Sequence, residues 1–143
     1  MGKRNNRWNN GARRRAVQAR LKQQALPCAL CGRAIDYSIP RLITLPSGKK
    51  LVHPASWCID EIIPVSQGGS EIQMTNCQPA HAACNATRGA KPMSWVYGAG
   101  RQEIMNALPK ALSKAQLTIN NCVVQTVQKQ KHDAKANQMS STW

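Results

Sequence analysis

The sequence contains no phenylalanine, and aromatic residues make up only 4% of its 143 positions. A chain of this length has room for one small domain with tails, and small domains bury a smaller fraction of their surface than large ones do. So little aromatic bulk argues against a large autonomous core. A fold stapled by a bound metal would explain how such a chain is stabilised.

Acidic residues are also scarce. Six aspartates and glutamates stand against twenty lysines and arginines, which gives a formal net charge of +14 at pH 7. A surface this positive favours the phosphate backbone of a nucleic acid as partner. An anionic membrane surface and simple solubility are the alternative interpretations of the same charge.

Long apolar runs are missing as well. No stretch approaches the about eighteen apolar residues that cross a bilayer, and no apolar run follows the basic amino terminus. We therefore expect no membrane span, no signal peptide and a cytoplasmic location. Thiols stay reduced in the cytoplasm, so pairs of cysteines there favour metal over disulfides.

The amino-terminal part of the chain, residues 1–26, combines a basic arm with a helix. Residues 1–10 are rich in Asn, Arg and Gly and are typical of a disordered arm, whereas residues 12–25 are good helix formers that end before Leu26-Pro27. The basic side chains of this helix are candidates for contacts with DNA phosphates: Arg13, Arg14, Arg15, Arg20 and Lys22. A charged face that only keeps the helix soluble is the alternative.

Two half-sites have the spacing of zinc ligands. Cys28 and Cys31 are separated by two residues and followed by Gly32, as in a zinc knuckle, and His81 and Cys84 have the same separation. Together they predict one Cys3His zinc site. The alternatives are an ordinary buried cysteine pair and a packed histidine. The remaining cysteines, Cys58, Cys77 and Cys122, are assigned as small buried apolar residues.

Residues 57–91 predict a strand, a loop, a second strand and a short helix. β-Forming residues surround the adjacent acids Asp60 and Glu61, and Gly68-Gly69 allows the chain to reverse. An alanine-rich helix over residues 80–88 then ends at Gly89. Upstream, residues 35–52 predict one or two short strands around a turn at residues 46–48, and His53 is predicted to be a turn residue.

The segment after residue 92 is predicted to be helical. Residues 101–108 form one helix, Pro109 interrupts it, and residues 110–137 continue as a second helical stretch with an imperfect apolar stripe. The chain is thus divided into residues 1–26, a central domain over residues 27–92, and a carboxy-terminal helical segment over residues 93–143.

The central domain resembles the HNH endonuclease family. The resemblance rests on an ordered set of motifs: Asp60-Glu61-Ile62-Ile63-Pro64, Gly68-Gly69, Asn76 and His81-x-x-Cys84-Asn85. It implies an α+β fold with a zinc-stapled ββα-metal core, flanked here by the basic helix and the carboxy-terminal helices. The implied activity is metal-dependent cutting or nicking of double-stranded DNA.

The resemblance also implies roles for individual residues. Asp60 and Asn85 would bind a catalytic Mg²⁺ or Mn²⁺, and Asn76 would brace the loop and orient the base, although a turn-capping Asn fits the same pattern. Arg88 and Lys91 would bind phosphates beside the cut, or add to the general basic surface.

Glu61 departs from the family, which has a histidine as general base at this position. A glutamate is a poorer proton acceptor at neutral pH, because its ordinary pKa is about 4.3 against about 6.5 for histidine. Glu61 is therefore expected to act as a weaker base, to act as a second carboxylate on the metal, or to leave the site inactive. Adjacent strand residues point to opposite faces, so Asp60 and Glu61 converge only if the strand twists or bulges.

Three functions follow from these observations. The first expectation is a metal-dependent endonuclease acting on DNA. The second is a catalytically inactive zinc-containing module that binds DNA. The third is an accessory subunit of a larger DNA-processing or packaging complex, since HNH proteins of this type resemble those of phages, which implies a bacterial or phage-infected cell.

Overall fold

The computed structural model describes residues 10–140 of the chain, with side chains through residue 121. The basic arm over residues 1–9 lies outside the described residues. The elements are, in chain order, α1 (Gly11–Gln24), β1 (Leu42–Thr44), β2 (Lys50–Val52), β3 (Trp57–Glu61), β4 (Cys77–His81), α2 (Ala82–Arg88), α3 (Met93–Tyr97) and α4 (Arg101–Ser140), with single 3-10 turns at Val65–Gln67 and Met74–Asn76.

The predicted strand, loop, strand and helix over residues 57–91 are confirmed. β3 and β4 pair antiparallel without a bulge, from Trp57 opposite His81 to Glu61 opposite Cys77, and α2 follows β4 directly. The first amides of α2 are satisfied by the segment before β3, since Ala82 N–H donates to the Ser56 carbonyl at 2.8 Å. Backbone hydrogen bonds therefore connect the start of α2 to the segment before β3.

A second hairpin precedes this unit. β1 and β2 pair antiparallel with Leu42 opposite Val52, and the turn between them contains Gly48 at φ 85°. The predicted turn role of His53 is also confirmed, because its Nδ1 accepts from Ala55 N–H at 3.1 Å. The structure is thus α+β, with two small antiparallel sheets and four helices among residues 10–140.

Two clusters of buried side chains hold the elements together. Val17 and Leu21 of α1 pack on Ile59 and Cys77 of the β3–β4 hairpin. On the other side, the first turns of α4 pack through residues such as Ile104 onto the cysteine loop and α2. The hairpin therefore lies between α1 and the carboxy-terminal helices. No helix among the described residues combines the length and hydropathy needed to cross a membrane.

Pro109 does not interrupt the carboxy-terminal helix, so that prediction is wrong. α4 continues from Arg101 to Ser140 with the proline inside it. A proline has no N–H, so the carbonyl four residues earlier loses its helical partner. That carbonyl belongs to Met105, and the Arg33 guanidinium donates to it at 2.9 Å. A side chain from outside the helix thus replaces the missing hydrogen bond.

Asn76 holds the loop between β3 and β4. Its Oδ1 accepts from Ile63 N–H at 2.9 Å, and its Nδ2 donates to the carbonyls of Ile63 at 3.0 Å and Ser70 at 2.9 Å. Gly69 lies directly against this brace. A Cβ at Gly69 would stand 1.7 Å from the Ile63 carbonyl oxygen and 2.8 Å from Asn76 Nδ2. The loop therefore tolerates no side chain at residue 69.

Gly69→Ala should lower the free energy of unfolding by about 3 kcal/mol or more, because the backbone at Ile63 must move to admit the methyl group. Gly68→Ala is the matched control. Gly68 has φ 92° but open space around a Cβ, so its substitution should cost about 1 to 2 kcal/mol from backbone strain alone. Urea denaturation of both variants measures the difference. Equal losses of unfolding free energy in the two variants would show that the close contact between residue 69 and the Ile63 carbonyl adds no cost of its own.

Candidate functional site

The four side chains of the predicted Cys3His site lie together. Cys28 and Cys31 come from the loop after α1, His81 ends β4, and Cys84 lies in α2; all four are buried, and their ligand atoms lie within 4.8 Å of one another. His81 Nδ1 is 3.4 Å from Cys31 Sγ and 3.9 Å from Cys84 Sγ. This cluster could hold a structural metal such as zinc.

The geometry of the cluster fits a tetrahedral ion. Zinc bonds of about 2.3 Å to sulfur and about 2.0 to 2.1 Å to nitrogen place tetrahedral S and N ligands about 3.5 Å apart, close to the separations seen here. Cys28 Sγ also accepts N–H groups of Cys31 at 3.5 Å and His81 at 3.4 Å. These donors stabilise a thiolate, as a metal-binding loop requires.

His81 is oriented as a ligand by its second ring nitrogen. Nε2 lies 3.1 Å from the Ala34 carbonyl oxygen, which can only accept, so Nε2 carries the proton and Nδ1 presents its lone pair to the cysteines. The thiols of the cluster differ in pKa. The hydrogen bond with Cys84 lowers the pKa of the Cys28 thiol, and the same contact raises the pKa of Cys84. These contacts favour the thiolate form of Cys28.

Side chains of the carboxy-terminal helices hold the cysteine loop in place. Tyr97 Oη donates to the Ala29 carbonyl and the Arg101 guanidinium donates to the Leu30 carbonyl, both at 2.6 Å. With the Arg33 bond to α4, three hydrogen bonds anchor the loop. The cluster consequently connects the cysteine loop, the hairpin and the helices at one point.

The other cysteines lie outside the cluster. Cys77 is buried against α1, as predicted, whereas Cys58 is only half-buried and packs beside the main core. Burial raises the pKa of the Cys58 thiol to about 11, so it is protonated at neutral pH. The side chain of Cys122 lies outside the described residues.

Asp60 and Arg88 form a buried ion pair. Arg88 Nη1 donates to Asp60 Oδ2 at 2.7 Å, with side-chain exposures of 0% and 4%. Gln78 Nε2 donates to the same oxygen at 2.8 Å. The Arg88 guanidinium also donates to the carbonyls of Glu61, Ile62 and Lys91 at 2.7 to 2.9 Å. Burial raises the pKa of Asp60, against the lowering effect of Gln78 and Arg88.

This pair changes the roles expected from the sequence. The Arg88 guanidinium is enclosed, and each of its three nitrogens has a hydrogen-bond partner, so it does not face a DNA phosphate, and that prediction is wrong. The Asp60 carboxylate is directed into the same interior and lacks the access that a catalytic cation needs. Lys91 is exposed at the surface, with Nζ 3.9 Å from the centroid of the Trp95 ring, which keeps its charge available at the end of the ββα unit.

Glu61 points the other way, into an open cleft of about 820 Å³ along the free edge of β3. We call this the edge cleft. It lies between α1 and α2, with the first hairpin at one end, and its lining includes Arg14, Arg41, Trp57, Glu61 and Asn85. Glu61 and Asn85, two of the predicted catalytic residues, therefore share one cleft, from which Asp60 is absent.

The basic residues of α1 divide into two groups. Arg14 reaches into the edge cleft, where Nη1 lies 3.0 Å from Glu61 Oε1 and donates to the Glu71 carbonyl at 2.6 Å. The others are exposed: Arg13, Arg15, Arg20 and Lys22. The sequence predicts Trp57 only as a strand residue and gives Arg41 no role, and the fold brings both to the cleft.

Removal of the cluster's ligands should release the metal and unfold the domain. We expect about one equivalent of zinc per chain, with Cys28→Ser and His81→Ala losing zinc and melting at lower temperature, because folding and binding are linked. Cys58→Ser is the matched control and should retain the metal. Elemental analysis and thermal unfolding measure both effects. Zinc retained by both ligand variants would contradict the assignment.

Asp60→Ala should destabilise the fold by about 3 to 5 kcal/mol, because it leaves the Arg88 charge buried without its carboxylate. Glu103→Ala, at an exposed position of α4, is the control for losing one acid and should unfold near the wild-type temperature. Denaturant titration of each variant measures the cost. An Asp60→Ala variant as stable as wild type would mean that Gln78 and the carbonyls suffice to hold Arg88.

Comparisons with family models, curated proteins and solved structures found no match to this chain. Its function is therefore inferred from the metal cluster, the buried ion pair and the edge cleft.

Proposed function

We propose that this protein is an HNH-type, metal-dependent endonuclease that hydrolyses phosphodiester bonds of DNA. The observation that carries the proposal is the edge cleft, whose lining includes Glu61 and Asn85 together with Arg14 and Arg41. Carboxylate and amide oxygens beside two arginines are a combination suited to a phosphate group and a hard cation.

The surrounding fold supports the proposal. The order of β3, the loop, β4 and α2 agrees with the ββα arrangement that the sequence motifs imply, and Asn76 forms the expected brace between the loop and the end of β3. The Cys3His cluster fixes α2, which carries Asn85, to β4. The net charge of +14 supports binding of a phosphate backbone.

The cleft residues have separate roles in this chemistry. Arg14 and Arg41 bind the phosphoryl oxygens, and Glu61 accepts the proton of the attacking water from the position where the family has histidine. Asn85 supplies an amide oxygen that would hold Mg²⁺ or Mn²⁺. Such a cation, when bound, neutralises charge on the phosphoryl group and on the leaving oxygen.

Asp60 has a positioning role in this proposal. The expected pair of cation ligands, Asp60 and Asn85, does not fit one open site, because Asp60 is buried against Arg88. By holding Arg88, which bonds the carbonyls of Glu61 and Ile62, Asp60 keeps the end of β3 in place. The adjacent Glu61 side chain is thereby directed to the cleft.

A zinc-containing module that binds DNA without cutting it is the second candidate. The same ion pair favours it, since an HNH nuclease would use the aspartate as a cation ligand and here that carboxylate is engaged. This candidate shares the cluster, the basic helix and the cleft, so DNA affinity alone does not separate the two functions.

Plasmid nicking separates them. Purified zinc-loaded protein with supercoiled plasmid and Mg²⁺ or Mn²⁺ should give nicked product, and Glu61→Gln and Asn85→Ala should each reduce the rate by about 100-fold or more, while still binding DNA. Glu103→Gln removes an acid outside the cleft and should cut like wild type. DNA binding without any metal-dependent nicking would favour the module.

Glu61→His tests the role of the carboxylate. Nicking should persist or rise at neutral pH, because imidazole, with an ordinary pKa of about 6.5, is the better proton acceptor there. The rate of nicking at pH 7 against wild type is the measurement. A fall of several orders of magnitude would show that the carboxylate is needed as a cation ligand.

A further inference from the structure

We propose that the edge cleft receives an unpaired nucleotide, with its base against Trp57 and its phosphate at Arg41, so that the preferred substrate is single-stranded or locally unpaired DNA. This inference rests on the proposed function for the cutting step, because it specifies the substrate of the same cleft. The binding of the nucleotide itself can be measured without any cutting.

The Trp57 ring lines one side of the cleft and is held in a fixed position. Trp57 begins β3, opposite His81 of the metal cluster, and is half-buried where it lines the cleft. Tyr37 packs against it with ring centroids 5.3 Å apart and planes inclined at 52°. Tyr37 is itself held by the hydrogen bond from its Oη to the Leu26 carbonyl at 2.6 Å. The indole is thus supported from outside the cleft, as a stacking surface for a base requires.

Arg41 supplies the charge beside this wall. It is exposed, and among the described residues no carboxylate forms a salt bridge with its guanidinium, whereas Arg14 is paired with Glu61. Its backbone is fixed, because its carbonyl accepts from His53 N–H at 2.7 Å. Arg41 can therefore bind a phosphate without first breaking a salt bridge, whereas Arg14 would have to break its salt bridge with Glu61.

The cleft has room for one nucleotide. Clefts of about 300 to 1,000 Å³ accommodate one small ligand, and this one has about 820 Å³. A base inside a duplex is stacked on both faces and cannot reach Trp57 until it leaves the stack. A strand that is already unpaired avoids that cost.

Fluorescence anisotropy with labelled oligonucleotides tests the proposal in the absence of Mg²⁺ and Mn²⁺. The probes are a 12-nucleotide single strand and the blunt duplex of the same sequence, at about physiological salt so that general electrostatic binding is reduced. The full-length, zinc-loaded wild type is compared with Trp57→Leu, Trp57→Tyr, Arg41→Gln and Lys49→Gln. Lys49 lies exposed on the same hairpin as Arg41 and outside the cleft lining, and so controls for the loss of one charge.

The wild type should bind the single strand more tightly than the duplex. Trp57→Leu should weaken single-strand binding by about tenfold, as expected for one lost base stack, and change duplex binding much less. Trp57→Tyr should retain most of the affinity, because it keeps an aromatic face. Arg41→Gln should lose more single-strand affinity than Lys49→Gln.

Two results would overturn the proposal: equal losses for single strand and duplex in Trp57→Leu, or equal effects of Arg41→Gln and Lys49→Gln. If Trp57→Leu does not fold, as judged by circular dichroism and zinc content, the tyrosine and arginine variants decide the question. Selective single-strand binding without nicking would remove the nuclease and retain the nucleotide site. Nicking without a preference for single strands would remove the nucleotide site and retain the nuclease.

Discussion

The alternation of side chains along β3 is the constraint on which the site depends. Trp57, Ile59 and Glu61 face α1, and Cys58 and Asp60 face α2. Because the strand pairs with β4 without a bulge, two adjacent acids receive opposite environments. One becomes the internal partner of an arginine, and the other becomes the carboxylate of an open cleft.

The Cys3His cluster links two separate stretches of the chain. Cys28 and Cys31 lie in the loop after α1, and His81 and Cys84 lie where β4 meets α2. Hydrogen bonds from Arg33, Tyr97 and Arg101 tie the cysteine loop to α3 and α4. A metal bound by the cluster would add stability that the limited apolar core of a small chain without phenylalanine does not supply.

Local patterns predicted the parts of this structure that depend on local chemistry. The spacing of Cys28, Cys31, His81 and Cys84 predicted their cluster, and the glycines and β-forming residues predicted the two hairpins. The partner of Asp60 could not be predicted in this way, because it lies 28 residues away and is selected by the face that α2 turns towards β3. The continuity of α4 through its proline likewise depends on a distant guanidinium.

The residues that line the edge cleft also could not be predicted from local sequence patterns. No motif assigns Trp57 or Arg41 to a binding site, and only the fold brings both to one cleft. A sequence identifies residues by type and spacing, whereas a binding surface is selected by what remains exposed after folding. Residue types alone did not show that Asp60 and Arg88 pair in the interior.

The bond between Arg33 and the carbonyl of Met105 has a further consequence. Arg33 follows the cysteine loop directly, and its carbonyl accepts from Cys28 N–H at 2.9 Å, so its position depends on the loop that carries two ligands of the cluster. The partner that it supplies lies at the weakest hydrogen-bonding point of α4. Release of a metal bound by the cluster would loosen this loop, the turn before Pro109 would lose its substitute partner, and backbone amides around it would exchange with solvent faster. A bound ion would in this way affect the rigidity of a helix whose far end lies well away from it.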